Sequence, residues 1–105
     1  MRIIAGIVTY NPSMNRLNEC LNSVLSELKD VLIFDNGSNN AEEILQLIEN
    51  YRGNARIFII GKNRNHGIAY GLRTIMRFAD IHDYEWVLTL DQDSVLRPGL
   101  VALYP

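Results

Sequence analysis

The sequence predicts an α/β fold, a three-layer arrangement in which a parallel sheet is covered by crossover helices. Three observations carry this prediction. Four short apolar runs rich in Ile, Val and Phe alternate with three segments of helical periodicity, the pattern of parallel strands joined by helices. The polar, turn-forming residues gather immediately after the runs. A chain of 105 residues with 48% hydrophobic content is long enough for one cored domain and too short for two.

The predicted strands are Ile3 to Thr9, Val31 to Asp35, Arg56 to Ile60 and Trp86 to Leu90. After the Asn11-Pro12 turn a helix is expected from near Asn15, with Leu17, Leu21, Val24, Leu25 and Leu28 on the face that meets the sheet. The second helix is expected to open with Asn40 three residues before Glu43, a capping-box spacing. It carries Ile44, Leu45, Leu47, Ile48 and Tyr51 and is expected to end at Gly53. The third is expected from about Ile68 to Ala79, with Leu72, Ile75 and Ala79 inward.

A formal net charge of -2 with basic residues scattered along the chain gives no electrostatic footprint for nucleic acid or an anionic membrane surface. The one cysteine, Cys20, lies among Leu17, Leu21 and Val24 and reads as a buried small hydrophobe. The apolar start, Ile3 to Val8, is too short for a signal-peptide core and is followed by Thr9-Tyr10-Asn11-Pro12 rather than a small-residue cleavage site. A soluble, cytoplasmic protein is expected.

Right-handed crossovers bring every strand's C-terminal end to one sheet edge, where open α/β sheets bind ligands. Asp91 and Asp93, just past the fourth run, project to the same side if the backbone stays extended. Two such carboxylates suit a hard divalent ion that shares its remaining positions with a nucleotide diphosphate; they also suit a solvated turn. Asp35 ends the second run ahead of Asn36-Gly37-Ser38. Its carboxylate either shapes that turn or accepts the imide N–H of a pyrimidine against which Tyr10 packs, and this contact does not separate uracil from thymine. The loop Gly61-Lys62-Asn63-Arg64-Asn65-His66-Gly67 precedes a helix and suits phosphate or ribose, although it has neither a GxGxxG nor a P-loop pattern. His66 reads as a loop hydrogen-bonder and His82 as surface polar structure.

Together, Ile7-Val8-Thr9-Tyr10-Asn11, Asp35-Asn36-Gly37-Ser38, Asn65-His66-Gly67-Ile68-Ala69 and Trp86-Val87-Leu88-Thr89-Leu90-Asp91-Gln92-Asp93-Ser94 resemble, in order, the N-terminal half of a family-2 glycosyltransferase with the GT-A fold. The Asp-Gln-Asp segment is similar to the rhamnosyltransferase branch. The resemblance implies that residues 1–105 form the Rossmann-like, nucleotide-sugar-binding half of such a domain. It implies that Thr9, Tyr10 and Asp35 frame the donor nucleoside, that Asn65 and Gly67 border the nucleotide, and that Asp91 approaches the ribose or the metal. Asp93 would be the principal protein ligand of Mg²⁺ or Mn²⁺. The implied reaction is inverting transfer from a dTDP- or UDP-linked sugar to a saccharide or lipid-linked acceptor in surface polysaccharide synthesis. One departure is Arg73, where the family often places asparagine.

The resemblance also implies a general base and acceptor site beyond residue 105, so the chain is expected to be a truncated half that binds donor without transferring it. Glu42, Glu43 and Asp83 do not fit that catalytic role, since the first two open a helix and the third lies in a loop before a strand. The expected consequence is self-association through an exposed sheet edge and the apolar residues Leu100, Val101 and Leu103. A placement at the inner membrane face is compatible with a lipid-linked acceptor. A different class remains open: a non-catalytic nucleotide-binding or assembly module that keeps the same pocket. A sugar-nucleotide pyrophosphorylase would carry a glycine-rich, arginine-bearing loop where Tyr10-Asn11-Pro12 stands. A phosphoacceptor receiver domain would carry acidic residues there and an aspartate after the third strand.

Overall fold

The structure is a computed structural model that describes residues 2–97. Its elements run β1 (Ile3–Thr9), α1 (Met14–Leu25), β2 (Asp30–Asp35), α2 (Ala41–Glu49), β3 (Arg56–Gly61), α3 (Ile68–Ile81) and β4 (Trp86–Asp91). All the strand pairings are parallel and the order across the sheet is β3-β2-β1-β4. This is the Rossmann-like, three-layer arrangement of the nucleotide-binding half of a GT-A fold.

The strand order explains the layers. From β1 to β2 to β3 the chain steps in one direction, and from β3 to β4 it returns past β2 and β1. Right-handed crossovers therefore place α1 and α2 on one face and α3 on the other. The side-chain alternation agrees. Ala5, Ile7, Val31 and Ile33 pack with Leu17, Leu21, Val24, Ile44 and Ile48, whereas Ile4, Leu32 and Phe34 pack with Ile75 and Ala79. Both faces of β2 are buried, so it reads as an unbroken apolar run rather than an alternating one. Close approach of α3 to β1 depends on Gly6, where an added Cβ would run into the Ile75 side chain.

Local details depart from the expected ones at four places, the first being α1, which ends at Leu25 so that Leu28, although buried, packs from the turn beyond the helix. Asn40 precedes α2 without capping it; its amide instead donates to the Pro12 carbonyl at 2.9 Å, joining two loops at the same sheet edge. The helix ends at Glu49 with Asn50 as its cap, and Gly53 lies in the following turn. Leu72 is 37% exposed and, with exposed Ile68, borders an open groove against Val8, Thr89 and Leu90 rather than entering the core. Among the described residues no helix is long and apolar enough to cross a membrane. The expected apolar surface at Leu100, Val101 and Leu103 lies outside the described residues.

Candidate functional site

Four loops meet at the C-terminal edge of the sheet, and hydrogen bonds fix how they meet. Thr9 and Asp35 are register partners at the ends of β1 and β2. The buried Thr9 hydroxyl donates to Asp35 Oδ1 at 2.8 Å. The Ser38 hydroxyl donates to the same oxygen at 2.5 Å, and the Ser38 amide donates to Oδ2 at 3.1 Å. Ser38 Oγ then accepts from the Asn11 amide at 2.8 Å, and Asn11 Oδ1 accepts from the Asn39 amide at 2.7 Å. Asn11 adopts φ 45°, a left-handed conformation that asparagine tolerates better than most residues. Asp35 is thus the centre of a knot joining the loops after β1 and β2. It is 3% exposed, and neither it nor Thr9 lines the cleft described below.

The loop after β3 is held by Asn36, whose role the sequence did not reveal. Asn36 is 2% exposed. Its amide nitrogen donates to the Gly67 carbonyl at 3.1 Å while its amide oxygen accepts from the His66 backbone at 2.8 Å. Gly37 adopts φ 84°, and a Cβ there would lie 2.5 Å from the Arg64 Cα, so this loop rests directly on the glycine. Asn65 Oδ1 accepts from the Gly67 amide at 2.7 Å and closes a tight turn. Gly67 then starts α3 with no side-chain cap on the helix's first turn. His66 is exposed and stacks on Tyr70 at 4.9 Å between ring centroids, in keeping with a loop role.

After β4 the backbone does not stay extended, contrary to the expectation from residue spacing. The Ser94 amide donates to the Asp91 carbonyl at 3.0 Å, which makes Asp91-Gln92-Asp93-Ser94 a tight turn. The turn still presents Asp91 and Asp93 to one cleft. Both are exposed, and their carboxylates make no hydrogen bond or ion pair among the described residues. Cys20 lies beneath this turn with its thiol 3.7 Å from the Asp91 carbonyl. Burial, reinforced by the negative charges of Asp93 and Asp91, pushes that thiol up to about 11. As expected, the cysteine is a buried packing residue.

The cleft, about 380 Å³, is lined by Tyr10, Asn36, Asn65, Gly67, Asp91, Gln92 and Asp93, with Val8 and Ile68 forming apolar wall. It opens between β1 and β4, where the strand order reverses and where open α/β sheets bind ligands. Of the residues singled out from sequence, Tyr10, Asn65, Gly67, Asp91 and Asp93 come together on its walls, and Thr9 and Asp35 lie behind them. Another cleft, about 420 Å³, lies at the opposite sheet edge among Arg2, Lys29, Asp30 and Arg56. Its buried carboxylate is already engaged: Asp30 accepts from Arg56 at 3.0 and 3.2 Å and from the Tyr84 hydroxyl at 2.6 Å. Unengaged carboxylates distinguish the first cleft.

A family model described as glycosyl transferase family 2 matches residues 5–103. The chain belongs to glycosyl transferase family 2. It is 33% identical over 100 residues to the dTDP-rhamnosyl transferase RfbF of Shigella flexneri, covering 90% of this chain and 30% of that protein. Among solved structures it is similar in fold to S. aureus TarS residues 1–349, with a TM-score of 0.79 at 24% identity over 97% of this chain and 30% of that one. It is also similar to the same TarS fragment in complex with UDP, with a TM-score of 0.59 at 23% identity over 89% and 28% of the two chains. The chain therefore spans about 30% of the length of these relatives. The four sequence segments that carried the resemblance all fall within the matched stretch. Among the described residues no group of three or more His, Cys, Asp and Glu side chains is placed to hold a metal ion. Any cation here would need ligands beyond the Asp91 and Asp93 pair.

Proposed function

We propose that this chain binds the nucleotide-diphosphate sugar and the divalent cation of an inverting family 2 glycosyltransferase. The observation that carries the reading is the cleft at the strand-order reversal, with two unengaged carboxylates and Tyr10 on its walls. The pyrimidine base is assigned to the Tyr10 end, near the Asp35 knot. A carboxylate has about four lone-pair sites. Three are occupied by Thr9 and Ser38, so Asp35, which does not line the cleft, is assigned to framing the base end from behind through the knot it forms with the loop after β1. Asn65 and Gly67 border the nucleotide at the uncapped start of α3, where N–H groups favour an anion.

The donor set at Asp91 and Asp93 is oxygen-only and unengaged, which fits Mg²⁺ or Mn²⁺ with the substrate's phosphates filling other positions. Bound there, such an ion would neutralise charge on the departing diphosphate. This also fits the shortage of protein ligands, since a cation shared with a diphosphate needs few of them. The name of the Shigella relative, together with Asp91-Gln92-Asp93, favours dTDP-rhamnose as the donor, and the TarS complex supports a pyrimidine diphosphate more generally. The acceptor is proposed to be a saccharide or lipid-linked saccharide of a surface polysaccharide. Cytoplasmic placement at the inner membrane face accords with such an acceptor.

Calorimetric titration with dTDP, UDP and GDP, with Mn²⁺ and with excess chelator, tests the reading. The pyrimidine diphosphates are expected to bind more tightly than GDP, in a cation-dependent manner that Asp93→Asn weakens most. Affinity unchanged by chelator and by Asp93→Asn would overturn the cation assignment.

A further inference from the structure

The middle residue of the Asp91-Gln92-Asp93 turn makes a pair of contacts that a spacer residue would not need. The β1–β4 ladder ends at the pair Val8 and Asp91, and β4 then turns away. Beyond that point the Gln92 side chain continues the ladder. Its Oε1 accepts from the Tyr10 backbone N–H at 2.8 Å, and its Nε2 donates to the Tyr10 carbonyl at 3.2 Å. A primary amide offers one acceptor and a donor in the same plane, as a peptide group does. Glutamine alone combines that pair with a stem of two methylenes. Leucine offers neither group, and glutamate would set a carboxylate against the Tyr10 carbonyl.

Tyr10 needs such a clamp. It is 45% exposed, its ring makes no aromatic contact among the described residues, and it precedes Asn11 in a left-handed conformation. Among the described residues no other side-chain hydrogen bond ties Tyr10 to the segment after β4. We infer that Gln92 is a positioning residue whose amide fixes Tyr10 against the turn bearing Asp91 and Asp93, so that the base end and the diphosphate end of the cleft are held as one unit. The inference rests on the nucleotide reading above. Gln92 also lines the cleft, and because both polar groups of its side chain are engaged by Tyr10, its effect on nucleotide affinity is assigned to its hold on Tyr10.

A double-mutant cycle on the full chain tests it, with dTDP and UDP titrated in the presence of Mn²⁺ into wild type, Gln92→Leu, Tyr10→Ala and the double variant. Loss of two hydrogen bonds predicts an affinity roughly tenfold weaker for Gln92→Leu. In the Tyr10→Ala background the same change should weaken binding less than about twofold, because the group it positions is gone. A purely structural role would lower the melting temperature without this non-additivity. Losses that multiply, or a Gln92→Leu affinity within twofold of wild type, would overturn the inference while leaving the nucleotide reading intact. Failure of the wild-type protein to bind either nucleotide would overturn both. If Gln92→Leu does not fold by circular dichroism, the uncharged Gln92→Met serves in its place and is expected to show the same loss and the same non-additivity. Failure of both variants to fold would make Gln92 a folding residue and overturn the inference.

Discussion

Replacing Asp35 by alanine tests how the knot at the sheet edge is built. The change removes the acceptor for three donors: the Thr9 hydroxyl, the Ser38 hydroxyl and the Ser38 amide. Thr9 is completely buried, so its hydroxyl would be left without water or partner. One such orphaned group costs about 1–3 kcal/mol, and hydrogen bonds to a charged acceptor contribute about 1.5–3 kcal/mol each. Ser38 is only half-buried and regains water, which puts the total near 3 kcal/mol. For a domain of this size that corresponds to a fall in melting temperature of roughly 12–24 °C. Urea unfolding followed by circular dichroism at 222 nm, with the slope compared between variants, is the assay. Asp35→Asn should recover about half, because its Oδ1 still accepts while its amide nitrogen faces the Ser38 N–H. A loss below about 1 kcal/mol for Asp35→Ala with an unchanged slope would refute the knot.

Gly37→Ala should cost at least about 2 kcal/mol, because φ 84° is strained for an L residue and the new methyl meets the backbone at Arg64; a neutral denaturation curve would contradict this. Cys20 should resist a thiol reagent such as DTNB at pH 8 in the native protein and react fully in denaturant; rapid native labelling would show that the thiol is accessible. Its folded-state pKa is raised, so the folded protein holds the thiol proton more tightly than the unfolded chain does. That contribution is intact below about pH 9 and is lost as pH rises towards about 11, which unfolding measured across that window would register for wild type and not for Cys20→Ala. Self-association through the outer edge of β4, where Trp86 is 57% exposed, should appear as concentration-dependent sedimentation and weaken in Trp86→Lys; a monomer at all concentrations would contradict it.

The elements were legible because their signals are periodic. Strand runs at Ile3 to Thr9 and Trp86 to Leu90 and the stripe Leu17, Leu21, Val24 each report burial on a known face, and the structure places them within a residue or two of expectation. Convergence at one edge followed from chain direction and crossover handedness alone. What escaped was specific to side-chain pairing. The spacing of Asp91 and Asp93 suggested an extended backbone, but periodicity ends where the ladder ends, and the turn there depends on the Ser94 amide meeting the Asp91 carbonyl. Asn36 and Gln92 stand inside segments that carried the resemblance, but nothing in the sequence revealed their partners, because an asparagine or glutamine in a loop is unremarkable by itself. Their importance comes from backbone groups about 30 and 80 residues away that only the fold brings within reach. Asn40 shows the converse: the capping-box spacing was present, but the Pro12 carbonyl claimed its side chain.

The central claim, that a pyrimidine diphosphate binds in the cleft between β1 and β4, is tested most directly by following backbone amide resonances during titration with dTDP or UDP and Mg²⁺. The account predicts shifts concentrated at Tyr10 and Asn11, Asn36 to Ser38, Asn65 to Ile68 and Asp91 to Ser94, lost on adding chelator. Shifts centred instead on Arg2, Lys29 and Arg56 at the opposite sheet edge, or no shifts at saturating nucleotide, would contradict it.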